Sequence, residues 1–374
     1  MDSRYTGPAA GKFRSTTGRS RAIEKNVCEA QNMNRIAYYG MLAIFVTSAG
    51  SAVGQNAAVK KAPAARAWRL DERTGLTGTW VNNSATPLER PAQLKDKTSL
   101  TDAEVADMKQ RADRIFKNGH SDFAAGDAVF LAALANIDRY RNPNATDDSS
   151  GMLPWDFDNR TSLIIDPPDG RLPPYTPEGA RRRDAATAAL LIRNPPAGPE
   201  DLSPMQRCIT WGVPMIRPSG YTRYFQIAET PDFAVVMMES IHDARIIPLD
   251  GRPHLPANVR TWNGDSVGHY EGNTLVVDTT NFSAKTNFMG ASENLHLVER
   301  FTRVAPDEIQ SEITVNDPTT WTKPWKMVLR LKKTEEPVYE TACHEGNAAT
   351  MEIILSAARQ SEKTAKQGAI KPSK

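Results

Sequence analysis

The chain has 374 residues, of which 24% are charged and 40% hydrophobic, with 23 glycines and 26 prolines. That length suits one or two domains, and the composition excludes a collagen, a coiled coil and a wholly disordered chain. Forty-six Lys and Arg against 44 Asp and Glu leave a formal charge of +2, so no strong positive field is available for nucleic acid.

Residues 1–32 are polar and basic without apolar periodicity. Met33-Asn34-Arg35 then precedes the uncharged run Ile36 to Thr47, and Ala52-Val53-Gly54 before Gln55 fits the small-x-small cleavage pattern. This predicts a leader and signal peptide over 1–54, with Met1 or Met33 as the start, and export to the periplasm or the medium. The apolar run is shorter than the ~20 residues of a spanning helix, so no membrane span is expected once it is removed. A buried core helix behind a leader is the alternative. The leader carries Arg4, Lys12, Arg14, Arg19, Arg21, Lys25 and Arg35 against Asp2, Glu24 and Glu29, so the remainder is slightly acidic. Cys28 leaves with it. Cys208 and Cys343 remain, an even pair that an oxidising compartment can join as a disulfide, or that can stay as two buried thiols.

After a linker over 55–75, the folded part opens at Leu76-Thr77-Gly78-Thr79-Trp80. Thr101 followed by Glu104 is a capping-box pattern, and Val105, Met108, Ala112 and Ile115 recur at helical spacing. Further helices are expected over about 127–139 and from Thr176-Pro177-Glu178 to about Arg193. Half of the prolines lie between Asn142 and Gly220, which limits the sheet interior there. The segment 76–220 therefore reads as a helical, proline-rich arm wrapped over something else.

From Tyr224 the period changes to two. Strands are expected at Tyr224–Glu229, Ala234–Ile241, Arg245–Leu249, Thr261–Tyr270, Thr274–Thr279, Leu295–Val304, Glu308–Asn316, Trp325–Lys332 and Val338–His344, with turn residues between them. Eight or nine short strands at roughly ten-residue spacing predict a mainly β chain. The expected fold is an antiparallel β-barrel-like meander over 221–360, with a sandwich as the alternative. Thr350–Gln360 reads as a last helix before a disordered, Lys-rich tail over 361–374.

No His-Glu-x-x-His, paired Cys-x-x-Cys, phosphate loop or nucleophile elbow is present, so neither a cofactor nor a metal is expected. His120 and His254 lie in turn-like contexts and read as solvated. His242, His296 and His344 lie near strand edges beside charged residues. Strict alternation puts Glu239, Asp243 and Arg245 on one face, with His242 opposite unless a bulge intervenes. It puts His296 and Arg300 on one face and Leu295, Leu297 and Glu299 on the other. If a lumen is the ligand site, Glu239, Asp243, Arg245 and Glu299 form its polar floor, and Arg245 can orient a carboxylate or phenolate. The alternative is a solvated face or a satisfied ion-pair network. Trp80, Trp211, Trp262, Trp321 and Trp325, with Tyr224, Phe225 and Phe288, exceed a modest core, and those not packed would line a pocket for an apolar or aromatic molecule.

Several phrases occur together: Arg207-Cys208-Ile209-Thr210, the run from Ile241 to His254, Trp262 to Gly268, Tyr270 to Val277, Glu293 to Phe301, and Ala342 to Asn347. Over Leu76 to Arg359 this combination resembles a large family of exported bacterial proteins that brings no activity with it. His269 stands where that pattern has an arginine. Gly78-Thr79-Trp80 is similar to the opening of lipocalin-type (calycin-like) barrels.

Two functional readings follow. The first is a cofactor-independent enzyme of lyase, isomerase or hydratase type acting on a small apolar or aromatic compound. In it His242 or His296 is the acid/base, Asp243 or Glu299 its partner, and Arg245, Glu239, Trp262 and Arg300 contact the substrate. The second is a periplasmic small-molecule binding or carrier protein without catalysis. A third, an envelope interaction module using the proline-rich arm, predicts a fully packed barrel.

Overall fold

The computed structural model describes residues 75–116, 126–138, 140, 155–190, 196–214, 224–286, 288–340 and 342–369. The expected leader and signal over 1–54, and His120, lie outside them.

Alternation of buried and exposed residues runs through the strands. In β8 (His296–Ala305) Leu297, Glu299 and Phe301 are buried, and in β9 (Glu308–Asn316) every second residue is. A strand with one apolar face must lay it against others, and here the sheet curls so that these faces meet inside. The remaining strands are β1 (Gly78–Val81), β2 (Ile164–Asp166), β3 (Tyr224–Glu229), β4 (Phe233–Met238), β5 (Ala244–Pro248), β6 (Asp265–Glu271), β7 (Thr274–Thr280) and β10 (Trp325–Lys333). Their order is β5-β4-β3-β1-β10-β9-β8-β7-β6, with β2 also on β10. Around the barrel this is chain order, with β1 joining the first and last parts of the meander. The protein is thus mainly β, an antiparallel and nearly closed barrel-shaped sheet. Leu275, Val277, Leu297, Ile309, Ile313, Val315 and Met327 fill it at 1% exposure or less, each worth roughly 1.5–3 kcal/mol on full burial.

Parity explains the one break. Each ladder along this path is antiparallel, including β10 to β1. Nine strands are an odd number, so the last neighbours, β5 and β6, run in the same direction. Parallel neighbours need a long crossover rather than a hairpin, and residues 249–264 supply it. Among the described residues no ladder joins β5 to β6. Side chains close this seam instead. Arg245 of β5 donates to Ser266 Oγ of β6 at 3.2 Å, and Ile247 and Leu249 lie over Gly268, where a Cβ would come within 2.8 Å of Ile247. Farther along, the Tyr270 hydroxyl of β6 donates to Glu229 of β3.

The helices are α1 (Asp102–Phe116), α2 (Gly126–Ala135), α3 (Pro177–Leu190) and α4 (Asn347–Ala369). The predicted capping box forms: Thr101 N–H and Oγ1 reach Glu104 Oε2 at 2.8 and 2.9 Å, and Glu104 N–H returns to Thr101 Oγ1. Met108, Ala112, Val129 and Phe130 build a second small core between α1 and α2. Helix α3 seats on the barrel end, with Gly179 so close to Thr320 that a Cβ would lie 2.5 Å from its carbonyl oxygen. Under it Trp321, Trp325 and Phe288 pack together, with Trp321–Trp325 centroids 5.6 Å apart.

Four expectations need correction. The boundary at 220 does not separate arm from barrel, because β1 is a barrel strand and β2 pairs with β10; both belong to one unit, Ala67–Lys374. Of the strand expected at Val338–His344, the described residues 338–340 and 342–344 join no ladder, and β10, the strand before them, is already paired with β9, β1 and β2. The strand expected to reach Ile241 ends at Met238, where a 3₁₀ turn over Ser240–His242 holds Ile241 at φ 60°. The last helix continues to Ala369, into the stretch expected to be a disordered tail. Among the described residues no helix is long and apolar enough to cross a membrane.

Candidate functional site

The sequence places Arg245 two residues into β5 and Glu299 mid-way along β8, both at inward positions. The Arg245 guanidinium donates to Glu299 Oε2 at 2.6 Å and to Thr279 Oγ1 at 3.2 Å, with Arg245 7% and Glu299 3% exposed. Two opposite charges so buried are tolerable only because they neutralise each other and are hydrogen-bonded. The Nε of Arg245 is buried and has no hydrogen-bond partner among the described residues.

Cavities lie on both sides of this pair. Inside the barrel is a space of about 30 Å³ lined by Arg245, Glu299, Phe301, Ser311 and apolar side chains, with Val213 and Pro214 of the arm among its walls. It has room for water but is far below the ~300 Å³ of a ligand pocket. Outside, where β5 and β6 are not joined, is an open groove of about 260 Å³ lined by Ala244, Ile246, Pro248, Asn263, Asp265 and Ser266, again with Arg245. Arg245 therefore forms part of the wall of both.

The rest of the expected floor is elsewhere. Asp243 sits at the rim, accepting from Thr210 Oγ1 and from Asn263 Nδ2 at 2.7 Å. Glu239 is buried behind the 3₁₀ turn and accepts from the Tyr339 N–H. Neither is among the residues lining the interior cavity. The 3₁₀ turn is the physical reason: it breaks the alternation that would have kept Glu239, Asp243 and Arg245 on one face. His242, in the same turn, lies 3.1 Å from Glu340 at the surface. Arg300 points outward and donates to Glu271 Oε2 at 2.7 Å. Glu271 also meets His269, and hydrogen bonds from Arg300 and His269 hold its carboxyl below the usual range. Trp262 is half-buried in the crossover and lines neither cavity. The other large aromatics are mostly core: Trp80, Trp321 and Trp325 are at 1% exposure or less. Cys208 and Cys343 are joined as a disulfide, with Cα atoms 5.7 Å apart.

His296 points outward as alternation requires, so it does not meet Glu299. Its partner is Asp278 of β7, at 2.9 Å from Nε2. The other oxygen of Asp278 lies 2.9 Å from His254 Nε2, and His254 Nδ1 lies 2.8 Å from Asp265 Oδ2. Asp265 also accepts the Leu255 N–H, while Asn281 donates to Leu255 O. This chain of four side chains pins the crossover to the outside of the barrel. Burial pushes Asp278 up, but hydrogen bonds and charge from His296 and His254 outweigh it and hold the carboxyl low. The hydrogen bond to Asp278 raises His296 against a smaller opposing effect of burial. Sequence reasoning missed His254, Asp265 and Asp278. The available signal was a parity argument: a long connection between two strands of an odd-numbered barrel must cross over and be tied down. Among the described residues no group of three or more His, Cys, Asp or Glu is arranged to hold a metal ion.

Strand order and pairing define a mainly β protein whose antiparallel sheet curls into a nearly closed barrel. No family model and no curated protein matches this chain. Among solved structures it is similar to a secretary abundant heat soluble (SAHS) protein from Ramazzottius varieornatus, at 14% identity over 30% of this chain and 70% of that one, with a TM-score of 0.20. A likeness of that size carries no functional argument.

Proposed function

We propose that this is an exported small-molecule binding protein whose ligand sits in the groove at the β5–β6 seam, against Arg245. The observation that carries this reading is an open groove approaching ligand size with the Arg245 side chain in its wall. Ala244, Ile246 and Pro248 offer apolar contact there, and Ile246 is 64% exposed. The disulfide and the signal-like leader support export. The catalytic grouping of the first sequence reading is divided between inside, outside and rim, which favours binding over lumen chemistry.

Titration calorimetry of the full chain with benzyl alcohol and phenol tests the reading. Saturable one-to-one binding that is lost in Ala244→Trp, which fills the groove without removing a hydrogen bond, is expected. Absence of saturable binding, or binding that survives Ala244→Trp, overturns it. One observation favours an enzyme of lyase, isomerase or hydratase type as a second reading: the half-exposed His296 oriented by Asp278. That chemistry would take place on the outer face with His296 as acid, and His296→Ala would abolish turnover.

A further inference from the structure

We infer that the groove takes a short extended peptide, laid as an added strand antiparallel to β5 along its unpaired edge. This rests on the groove being the ligand site and names the class of ligand. In an antiparallel ladder the main-chain N–H and C=O of successive residues turn alternately to the two sides of the strand. Met238 N–H donates to Asp243 O at 2.9 Å, and Leu249 N–H donates to Asp232 O at 2.8 Å. The β4–β5 register is unbroken between them, so Arg245 and Ile247 also turn their main chain to β4. Ala244, Ile246 and Pro248 therefore turn theirs to the seam, where no ladder or isolated bridge meets them among the described residues. With Arg245, they are the β5 residues that line the groove. Pro248 fits this assignment, because proline lacks an N–H and is tolerated on the unpaired side of an edge strand. The edge offers the N–H groups of Ala244 and Ile246 and the carbonyls of all three residues, over a length of about 13 Å. Such an edge is a template for main-chain pairing.

Strand direction favours the same occupant. β5 and β6 run the same way, so a segment antiparallel to one is antiparallel to the other. One strand added to the nine-strand path gives the even number that an all-antiparallel barrel requires. The room for it is at the Ala244 end, since Ile247 and Leu249 shut the seam over Gly268. Ile246, 64% exposed, would lie beside a β-branched residue of the added strand. Asp243 at the rim is bonded by the neutral groups of Thr210 and Asn263, so an acidic segment is disfavoured.

The test is amide hydrogen exchange of the full chain by NMR, with and without a capped pentapeptide of alternating threonine and valine. In the free protein the Arg245 and Ile247 amides are expected to exchange slowly and those of Ala244 and Ile246 fast. Saturating peptide is expected to slow the Ala244 and Ile246 amides at least about fivefold. The fully N-methylated peptide, whose methyl groups block main-chain pairing, is expected neither to bind nor to protect. Ile246→Pro removes the central donor without touching the β4 ladder and is expected to weaken peptide binding about fivefold. Ile246→Val, which keeps the donor, is not. Should the proline variant fail to fold, the exchange test on the wild type decides alone. Peptide binding that leaves both amides fast, or that survives N-methylation, overturns strand addition while leaving the groove as a ligand site. Binding of benzyl alcohol without binding of the peptide does the same. Protection of the two amides that rises with protein concentration, no peptide being present, would give the edge to a second copy and overturn the inference. If neither peptide nor alcohol binds, the groove reading falls and this inference with it.

Discussion

Arg245 shows how one side chain carries both closure and site. It lies opposite Val236 in the β4–β5 ladder, reaches across the seam to β6 and β7, and ends on Glu299 of β8. Removing one partner of a buried pair strands the other charge, whereas replacing both by apolar groups is often close to neutral. Arg245→Met alone is therefore expected to lower the unfolding free energy by about 3–5 kcal/mol, and Arg245→Met/Glu299→Leu by clearly less. Urea unfolding of the three proteins checks this, and a double variant as weak as the single one would mean the pair is not buried in solution. The inward and outward assignments on β8 were legible in the sequence because a period-two pattern needs only local alternation. Those of Glu239, Asp243 and Arg245 were not, since a left-handed φ at Ile241 and His242 interrupts the alternation and nothing in the alternation of residue types marks it.

At the scale of elements, the crossover of residues 249–264 depends on the clamp around Asp278. A histidine raised by its partner stabilises the fold below its ordinary value of 6.5, and that stabilisation fades as pH rises through the raised value. A depressed aspartate stabilises above its ordinary value of 3.8, and its contribution is lost as pH falls through the lowered value. The pair thus acts mainly between those two ordinary values. The stability difference between wild type and His296→Asn is expected to be largest near about pH 5.5 and to shrink by about pH 8.5. Side-chain exposures of 39% and 35% keep its size below about 1 kcal/mol. An equal difference at both pH values would show that His296 does not titrate against Asp278 in the fold.

At the scale of the molecule, the disulfide ties the arm at Cys208 to the C-terminal segment at Cys343, 135 residues away in sequence. Beside it Asn347 donates to Gln206 O at 3.1 Å, and Thr210 reaches Asp243 and Asn263. Four of the phrases behind the family resemblance, those holding Cys208, Asp243, Asn263 and Cys343, thus meet at one rim. Closing so long a loop removes unfolded-state entropy worth up to about 5 kcal/mol. Cys208→Ala/Cys343→Ala is expected to unfold at markedly lower urea, with reductant shifting only the wild type. Identical curves with and without reductant would show that the bridge does not form.

The sequence by itself determined the mainly β class, most strand and helix positions and the facing of β8, because alternation, caps and turn residues are local properties. β3 and β9 match their expected limits residue for residue. Only the tertiary structure decided which strands are neighbours. That choice made β1 the link between β3 and β10 and put the parallel pair at β5 and β6. It also joined His254 to Asp265 and Asp278, and Arg245 to Glu299, pairs separated by 11, 24 and 54 positions. Such contacts follow from how many strands close the barrel and in what direction each runs, a property of the whole chain that no local pattern of residues encodes.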